Sequence, residues 1–315
     1  MLSDSDARTI INLAKQTPVL RVGGNSTITR VKVDKRDYAV KDYSARTDGY
    51  QRLTQEFSAL EFLHPELPDR FAEPLGIASD GQRAVYSWLD GIRPVLDQES
   101  VTHMLDIARE LHYLSKSVTP EQVMPATDQV LNISDIGDQL LKRFETLQAV
   151  PGPVADFTKT HALPLLLELR IDDNETGRAA ITLSPSDFGA HNLLWDEQTG
   201  RMRCVDLEFF GWDDAHKLTC DSLLHPLAEW SVDCADTFLA GAFVTYDLDE
   251  ARLIRLWSLL NLKWAAIILS RAERTLREGK KTLADQAMLR AVDYVKHAKC
   301  APASTAEILA QVTDA

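Results

Sequence analysis

The sequence lacks a cysteine framework and any excess of positive charge. Its four cysteines stand singly, without the paired spacing of a zinc site or of a disulfide set: Cys204, Cys220, Cys234 and Cys300. The 34 Lys and Arg are outnumbered by 47 Asp and Glu, and the formal net charge of −13 disfavours a surface that tracks nucleic acid or anionic lipid. We therefore expect buried, reduced thiols, and neither nucleic acid nor a membrane as partner.

A long uninterrupted apolar run and a secretory leader are also lacking. The most apolar stretch, residues 253–270, is interrupted by Arg255, Asn261 and Lys263, so we do not expect it to span a membrane. The first ten residues carry two aspartates where a secretory signal would have basic and then apolar residues. These features predict a cytoplasmic protein, and its 315 residues favour two domains or lobes.

Short strand patterns dominate the N-terminal third. β-branched and aromatic runs over 27–33 and 38–43, separated by a polar turn, predict an antiparallel pair of strands. Apolar residues three and four apart predict a helix over 49–63, and two more strands follow over 72–78 and 84–89. Because the strand-like spacing begins at about residue 19, the predicted order is β-β-β-α-β-β, a small antiparallel sheet that carries one helix.

Helical periodicity dominates after Pro94, except for a strand-rich stretch over 180–206. We therefore predict an α+β fold of two lobes. Residues 1–91 would form the small antiparallel-sheet lobe, and residues 92–315 the larger, mostly helical lobe.

The stretch Ser-Pro-Ser-Asp-Phe-Gly-Ala-His-Asn, residues 184–192, carries candidate chemistry. Asp187, Asn192 five residues later, and Asp206 after a short predicted hairpin make the arrangement that phosphoryl transfer from a metal-bound nucleotide requires. The first Asp orients a hydroxyl, whereas the Asn oxygen and the second Asp are hard ligands of the kind that Mg²⁺ prefers. An Asp and an Asn at this spacing also occur by chance, so the prediction of a phosphoryl-transfer site depends on the elements that precede them in the sequence.

A glycine turn is the first of these elements. Gly23 and Gly24, followed by Asn25 and Ser26, would let backbone amides approach phosphate groups without a Cβ in the way. An ordinary hairpin turn fits the same residues equally well.

Lys41 and Glu56 are the other two elements. Lys41 lies on an apolar predicted strand, where it either meets a partner or points to solvent at a sheet edge. Glu56 lies in the following helix, where it either pairs with Lys41 or is one more solvated charge. An ion pair would hold the lysine on the nucleotide phosphates.

Together these residues resemble the aminoglycoside phosphotransferase and choline kinase-like family, small-molecule kinases with a protein-kinase-like two-lobed fold. The resemblance covers most of the chain, from about residue 19 to the helices after residue 221. It implies ATP, or GTP, and Mg²⁺ as cofactors, and a small molecule with a hydroxyl group as acceptor. The oligomeric state stays open.

The resemblance also implies site roles. Asp187 would be the catalytic base, Asn192 and Asp206 the metal ligands, and Lys41 with Glu56 the phosphate anchor. The glycine turn of residues 23–26 would lie over the phosphates.

Further positions match supporting elements of the family. Ser87, Trp88 and Leu89 would form the hinge whose backbone meets the adenine. Glu208 would support the metal shell or the loop. Asp221 would either brace the catalytic loop from a helix N-terminus or simply cap that helix.

The sequence departs from the family at Pro185, because members usually carry a scaffold histidine two residues before the catalytic Asp. His191 is expected to pack in the loop or line the substrate site rather than act as a base. The implied function is ATP- and Mg²⁺-dependent phosphorylation of an amino sugar, a sugar or an amino alcohol. The alternatives are a catalytically inactive binding or scaffold protein, which Pro185 favours, and a nucleotidyl transferase.

Overall fold

The computed structural model describes residues 2–22, 26–170 and 177–313. Its strands are β1 (Arg21–Val22), β2 (Thr27–Val33), β3 (Arg36–Asp42), β4 (Pro74–Ile77), β5 (Arg83–Ser87), β6 (Ile181–Ser184), β7 (Leu193–Asp196), β8 (Arg201–Cys204) and β9 (Gly211–Asp214). Its helices are α1 (Asp4–Ala14), α2 (Gly49–Glu66), α3 (Gln98–Ser115), α4 (Ile133–Gln148), α5 (Pro153–Phe157), α6 (Leu163–Arg170), α7 (Ala215–Leu224), α8 (Val232–Tyr246), α9 (Glu250–Arg277), α10 (Lys281–Lys299) and α11 (Thr305–Thr313). The α+β fold class is confirmed.

Two compact units make up the chain. Unit 1 comprises Met1–Val95, Ser117–Thr127 and Pro185–Gly211, and unit 2 comprises Leu96–Lys116, Asp128–Ser184 and Trp212–Ala315. The first boundary lies close to the predicted lobe boundary at residue 91. The units differ from the predicted lobes because two later segments belong with the N-terminal sheet in unit 1: Ser117–Thr127, and Pro185–Gly211, which carries the candidate catalytic residues.

The sheet of unit 1 has the predicted antiparallel character, with strand order β1-β2-β3-β5-β4. The β2–β3 connection is a two-residue turn in which Asp34 and Lys35 adopt φ values of 47° and 68°. Two consecutive left-handed residues match the twist of a tight hairpin, and such a turn fixes the register of its strands. In this register Lys41 lies opposite Ile28 on one side and Ala84 on the other.

The two faces of this sheet have different roles because side chains alternate along a strand. On one face Val31, Val40 and Val85 form a core cluster with Ile10 and Ile11 of helix α1. The next residues along β3 and β5 point to the other face. That alternation turns Lys41 away from the α1 core and toward helix α2.

Helix α9 is the core helix of unit 2 and packs against α4, α7 and α10. In the described part of the chain it is the one helix with the length and apolar composition to span a membrane. The three polar residues within 253–270 therefore do not by themselves exclude a membrane span, contrary to the expectation from the sequence. However, 72% of its apolar window is buried inside the protein, which is the environment of a core helix.

The cysteines follow the prediction with one exception. Cys204, Cys220 and Cys234 are buried free thiols, whereas Cys300 is exposed. Cys300 is exposed because it lies directly after the last residue of α10, where the chain leaves the helix.

Candidate active site

Lys41 and Glu56 form a buried ion pair in unit 1, the pairing that the sequence predicts. Lys41 Nζ lies 2.6 Å from Glu56 Oε2, and both side chains are only 5% exposed. The same ammonium group also donates to Asp206 Oδ1. Burial alone would lower the pKa of Lys41, but the negative charges of Asp206 and Glu56 outweigh burial and raise that pKa, so the lysine stays charged.

The β7–β8 hairpin brings Asn192 and Asp206 to the same end, as predicted from the sequence. Leu193 pairs with Cys204, and the Val205 N–H donates to the Asn192 carbonyl at 2.9 Å. Asp206, the next residue, adopts a left-handed backbone with φ of 66°. A non-glycine residue in that region is held by its surroundings, which is common at functional sites.

The loop before this hairpin holds Asp187 in place. Ser186 is left-handed, with φ of 62°, and the Asp187 N–H donates to the Pro185 carbonyl at 2.7 Å. The Asn192 side-chain Nδ2 donates to the Asp187 carbonyl at 3.1 Å. This bond leaves the Asn192 amide oxygen as the atom of that side chain with cation-binding chemistry.

His191 makes a contact that the sequence interpretation missed. Its Nε2 lies 3.0 Å from Asp187 Oδ1, and the residue is 9% exposed. The ring fits there because a Cβ on Gly189 would lie only 2.9 Å from His191 Nδ1. The spacing of four residues was the available signal, and the 3₁₀ turn of Ala190–Asn192, in which the Asn192 N–H donates to the Gly189 carbonyl at 2.9 Å, folds the chain so that the two side chains meet.

Glu208 belongs to the same cluster. Carboxylate oxygens of Glu56, Asp206 and Glu208 lie within 4.8 Å of one another, close enough to hold a metal ion. Arg52 of helix α2 donates to Glu208 Oε1 at 2.7 Å. Burial and the charge of Asp206 nevertheless raise the pKa of Glu208.

A cavity of about 290 Å³ adjoins these residues in unit 1. Its lining combines the charged groups with the predicted hinge and with apolar side chains: Lys41, Glu56, Asp206, Ser87, Trp88, Leu89, Ala39, Tyr86 and Leu194. A mostly apolar pocket with a few convergent polar groups is the usual form of a small-molecule site.

The three hinge residues differ in their backbone bonds. The N–H groups of Ser87 and Trp88 already donate to the carbonyls of Glu73 and Asp37. Within the described residues, the Leu89 N–H and carbonyl have no hydrogen-bond partner. The Leu89 backbone is therefore available to a ligand in the cavity, and so is the Trp88 carbonyl, which also has no partner among the described residues.

The predicted glycine turn is only partly visible. Gly23, Gly24 and Asn25 lie outside the described residues, so their predicted contact with phosphates stays a prediction. Ser26 is 7% exposed, and it is not among the described residues that line the cavity.

Asp221 does not lie at a helix N-terminus, so that prediction is wrong. Helix α7 begins earlier because Asp214 caps it by accepting the His216 N–H at 3.0 Å. Asp221 lies in the last half of the helix, where its buried carboxylate is 2.8 Å from Lys263 Nζ and 3.6 Å from Lys217 Nζ. Its contacts in unit 2 are those of a buried charge network.

Comparisons with known proteins place this chain by fold. No protein-family model and no curated protein matches the sequence. Among solved structures, a choline kinase from Cryptosporidium parvum Iowa II matches with a TM-score of 0.63 at 8% identity, covering 98% of each chain. Choline kinase LicA from Streptococcus pneumoniae gives 0.60 at 15% identity, with 93% of this chain and 99% of that one covered.

A macrolide 2′-phosphotransferase from Brachybacterium faecium also matches, with a TM-score of 0.60 at 13% identity over 91% of this chain and 98% of that one. At such low identity the matches establish the fold and not the activity. The fold is the protein-kinase-like, two-lobed fold of small-molecule kinases, as the motif resemblance implied.

Proposed function

We propose that this protein is an ATP- and Mg²⁺-dependent phosphotransferase that phosphorylates a hydroxyl group of a small molecule in the cytoplasm. The observation that carries the proposal is the contact of Lys41 with both Glu56 and Asp206 beside the apolar cavity of unit 1. A buried lysine between two carboxylates is poised to exchange one of them for a phosphate oxygen.

The residues of the hairpin fit a magnesium ion. Asn192 contributes an amide oxygen, and Asp206, whose side chain is 32% exposed, contributes a carboxylate that a cation can reach. Both are hard oxygen ligands, the chemistry that Mg²⁺ requires. When bound, the ion would neutralise charge on the nucleotide phosphates.

Nucleotide binding and proton transfer would be carried out by side-chain and backbone groups of this protein. Lys41, held by Glu56, would bind phosphate oxygens, and the Leu89 backbone would bind the nucleobase. Asp187, oriented by His191, would accept the proton of the acceptor hydroxyl as the acceptor oxygen attacks the γ-phosphorus, and the bond from that phosphorus to the β,γ-bridging oxygen would break to release the nucleoside diphosphate. Catalysis would therefore come from positioning and charge neutralisation.

The acceptor class rests on the neighbours of the fold. These neighbours include choline kinases, an ethanolamine kinase, and aminoglycoside phosphotransferases in complex with gentamicin or with GDP and kanamycin. We infer a hydroxyl-bearing amino alcohol, amino sugar or sugar as the acceptor, and ATP or GTP as the donor.

Pro185 favours a second candidate, a binding or scaffold protein without transferase activity. The complete set of Lys41, Glu56, Asp187, Asn192 and Asp206 argues against it, because a chain relieved of catalysis has no need to keep two carboxylates against one buried lysine. A nucleotidyl transferase is the third candidate, and it differs in its products.

Phosphorus NMR of the purified protein with Mg²⁺ and ATP separates the three candidates. The acceptors would be choline, ethanolamine, an aminoglycoside, a macrolide and a bacterial metabolite extract. We expect ADP and a new phosphomonoester signal with at least one of these. AMP with pyrophosphate would instead establish nucleotidyl transfer, and intact ATP with every acceptor would favour the binding protein.

A further inference from the structure

Tyr43, directly after strand β3, has no role in the site described above, yet its side chain is fully buried within it. Its hydroxyl lies 2.6 Å from Glu56 Oε2 and 3.0 Å from the Tyr86 hydroxyl. The Lys41 ammonium lies 5.1 Å from the centroid of its ring. One tyrosine thus contacts both members of the ion pair and a residue that lines the cavity.

The direction of these hydrogen bonds follows from the number of protons. A carboxylate paired with an ammonium group can only accept, so Tyr43 donates its single proton to Glu56. The Tyr86 hydroxyl must then donate to the Tyr43 oxygen. Burial and the charge of Glu56 raise the pKa of Tyr43, so its hydroxyl keeps this proton.

Both oxygens of Glu56 are fixed by this arrangement. Oε2 accepts from Lys41 and from Tyr43, and Oε1 accepts the Leu207 N–H at 3.3 Å. Leu207 directly follows Asp206, so the same carboxylate ties strand β3 to the metal-binding segment. Without the Tyr43 hydroxyl, Oε2 would depend on Lys41 alone.

This dependence matters when a nucleotide binds. In the proposed site Lys41 must exchange Asp206 for a phosphate oxygen while Glu56 stays in place. Without Tyr43, Glu56 would keep only the long 3.3 Å bond from the Leu207 N–H besides the lysine, and its Oε2 could follow Lys41 when that lysine moves. The buried hydroxyl of Tyr43 prevents this movement, because its bonds to Tyr86 and to Glu56 Oε2 fix the orientation of the carboxylate.

We propose that Tyr43 is a positioning residue for nucleotide binding, whose hydroxyl fixes Glu56 so that Lys41 faces the cavity. The inference rests on the proposed function. It adds a chain that runs from the cavity wall at Tyr86 through Tyr43 to Glu56 and Lys41.

The Tyr43→Phe variant tests the proposal because it keeps the buried ring and removes one hydrogen bond. We expect the Kd for Mg·ATP to rise about 10-fold or more, because a lost hydrogen bond to a charged group changes an equilibrium constant by roughly 10- to 150-fold. Turnover at saturating ATP should change by less than about twofold, because the group acts on binding. Isothermal titration calorimetry gives the Kd, and ADP release gives the turnover.

Two further variants separate positioning from packing. Tyr294→Phe removes a tyrosine hydroxyl that bonds to a backbone carbonyl in unit 2, and should leave the Kd unchanged. In a Glu56→Met background, Tyr43→Phe should have no further effect on the Kd, because its partner is gone. If Tyr43→Phe raised the Kd by the same factor in the Glu56→Met background as in the wild type, the proposal would be overturned.

The outcomes distinguish this inference from the proposed function. Wild-type protein that binds Mg·ATP, with Tyr43→Phe binding equally well, would overturn the inference alone. Wild-type protein that binds neither Mg·ATP nor Mg·GTP would overturn the proposed function and the inference with it. Loss of the cooperative thermal unfolding transition in Tyr43→Phe would also overturn the inference, because it would show that the hydroxyl is needed for folding.

Discussion

Replacement of Asp187 by asparagine is expected to lower kcat about 10³-fold, with little change in affinity for Mg·ATP. The amide cannot accept the proton of the acceptor hydroxyl, so the base of the proposed reaction is lost. The loop should keep its shape, because asparagine retains a side-chain oxygen that can accept from His191. The backbone bond from Asn192 is also untouched.

ADP release with the acceptor found by NMR measures this effect, and calorimetry measures nucleotide binding. Asp285→Asn, which removes an exposed carboxylate on helix α10, is the matched control and should retain full turnover. Equal turnover in Asp187→Asn and wild type would show that Asp187 is not the base. Loss of nucleotide binding in the same variant would show that it serves the fold of the site.

Replacement of Asp206 by asparagine should lower kcat by roughly 10²- to 10³-fold, because a charged metal ligand becomes a neutral one. Lys41 keeps Glu56 as a partner, so the variant is expected to fold. The variant should also need a higher Mg²⁺ concentration for half-maximal turnover. A titration of turnover against Mg²⁺ checks both effects, and an unchanged Mg²⁺ requirement would contradict metal ligation by Asp206.

The part of this site that the sequence predicts is the part fixed by local rules. The β2–β3 turn has a length and residue types that set its register, and strand alternation then decides which way Lys41 points. The β7–β8 hairpin likewise places Asn192 and Asp206 at one end without help from distant residues. Short-range geometry was therefore enough to predict these positions.

The parts of the site that the sequence does not predict are those where several neighbouring residues could fill the same structural position. Helix α7 could begin at any of several polar residues, and the structure uses Asp214, which leaves Asp221 inside the helix. The contact of His191 with Asp187 depends on the 3₁₀ turn of Ala190–Asn192 and on Gly189, where a Cβ would lie only 2.9 Å from the His191 ring. Tertiary packing decides both, and no periodicity records it.

Tyr43 illustrates the same limit. In the sequence it is the last aromatic residue of a predicted strand, and its pattern indicates burial and nothing more. Its functional meaning comes from two partners that lie 13 and 43 residues away along the chain. Such networks become visible only when helix α2 and strand β5 are placed around it.

The central claim is that the Lys41, Glu56 and Asp206 cluster is a site for a metal-bound nucleotide. Calorimetric titration of wild-type protein with ATP, in the presence and absence of Mg²⁺, tests this claim without knowledge of the acceptor. We expect Mg²⁺ to tighten ATP binding at least about tenfold, because a cation would relieve the repulsion between the phosphates and the clustered carboxylates. Absent affinity for both ATP and GTP, or nucleotide affinity that is independent of Mg²⁺, would contradict the claim.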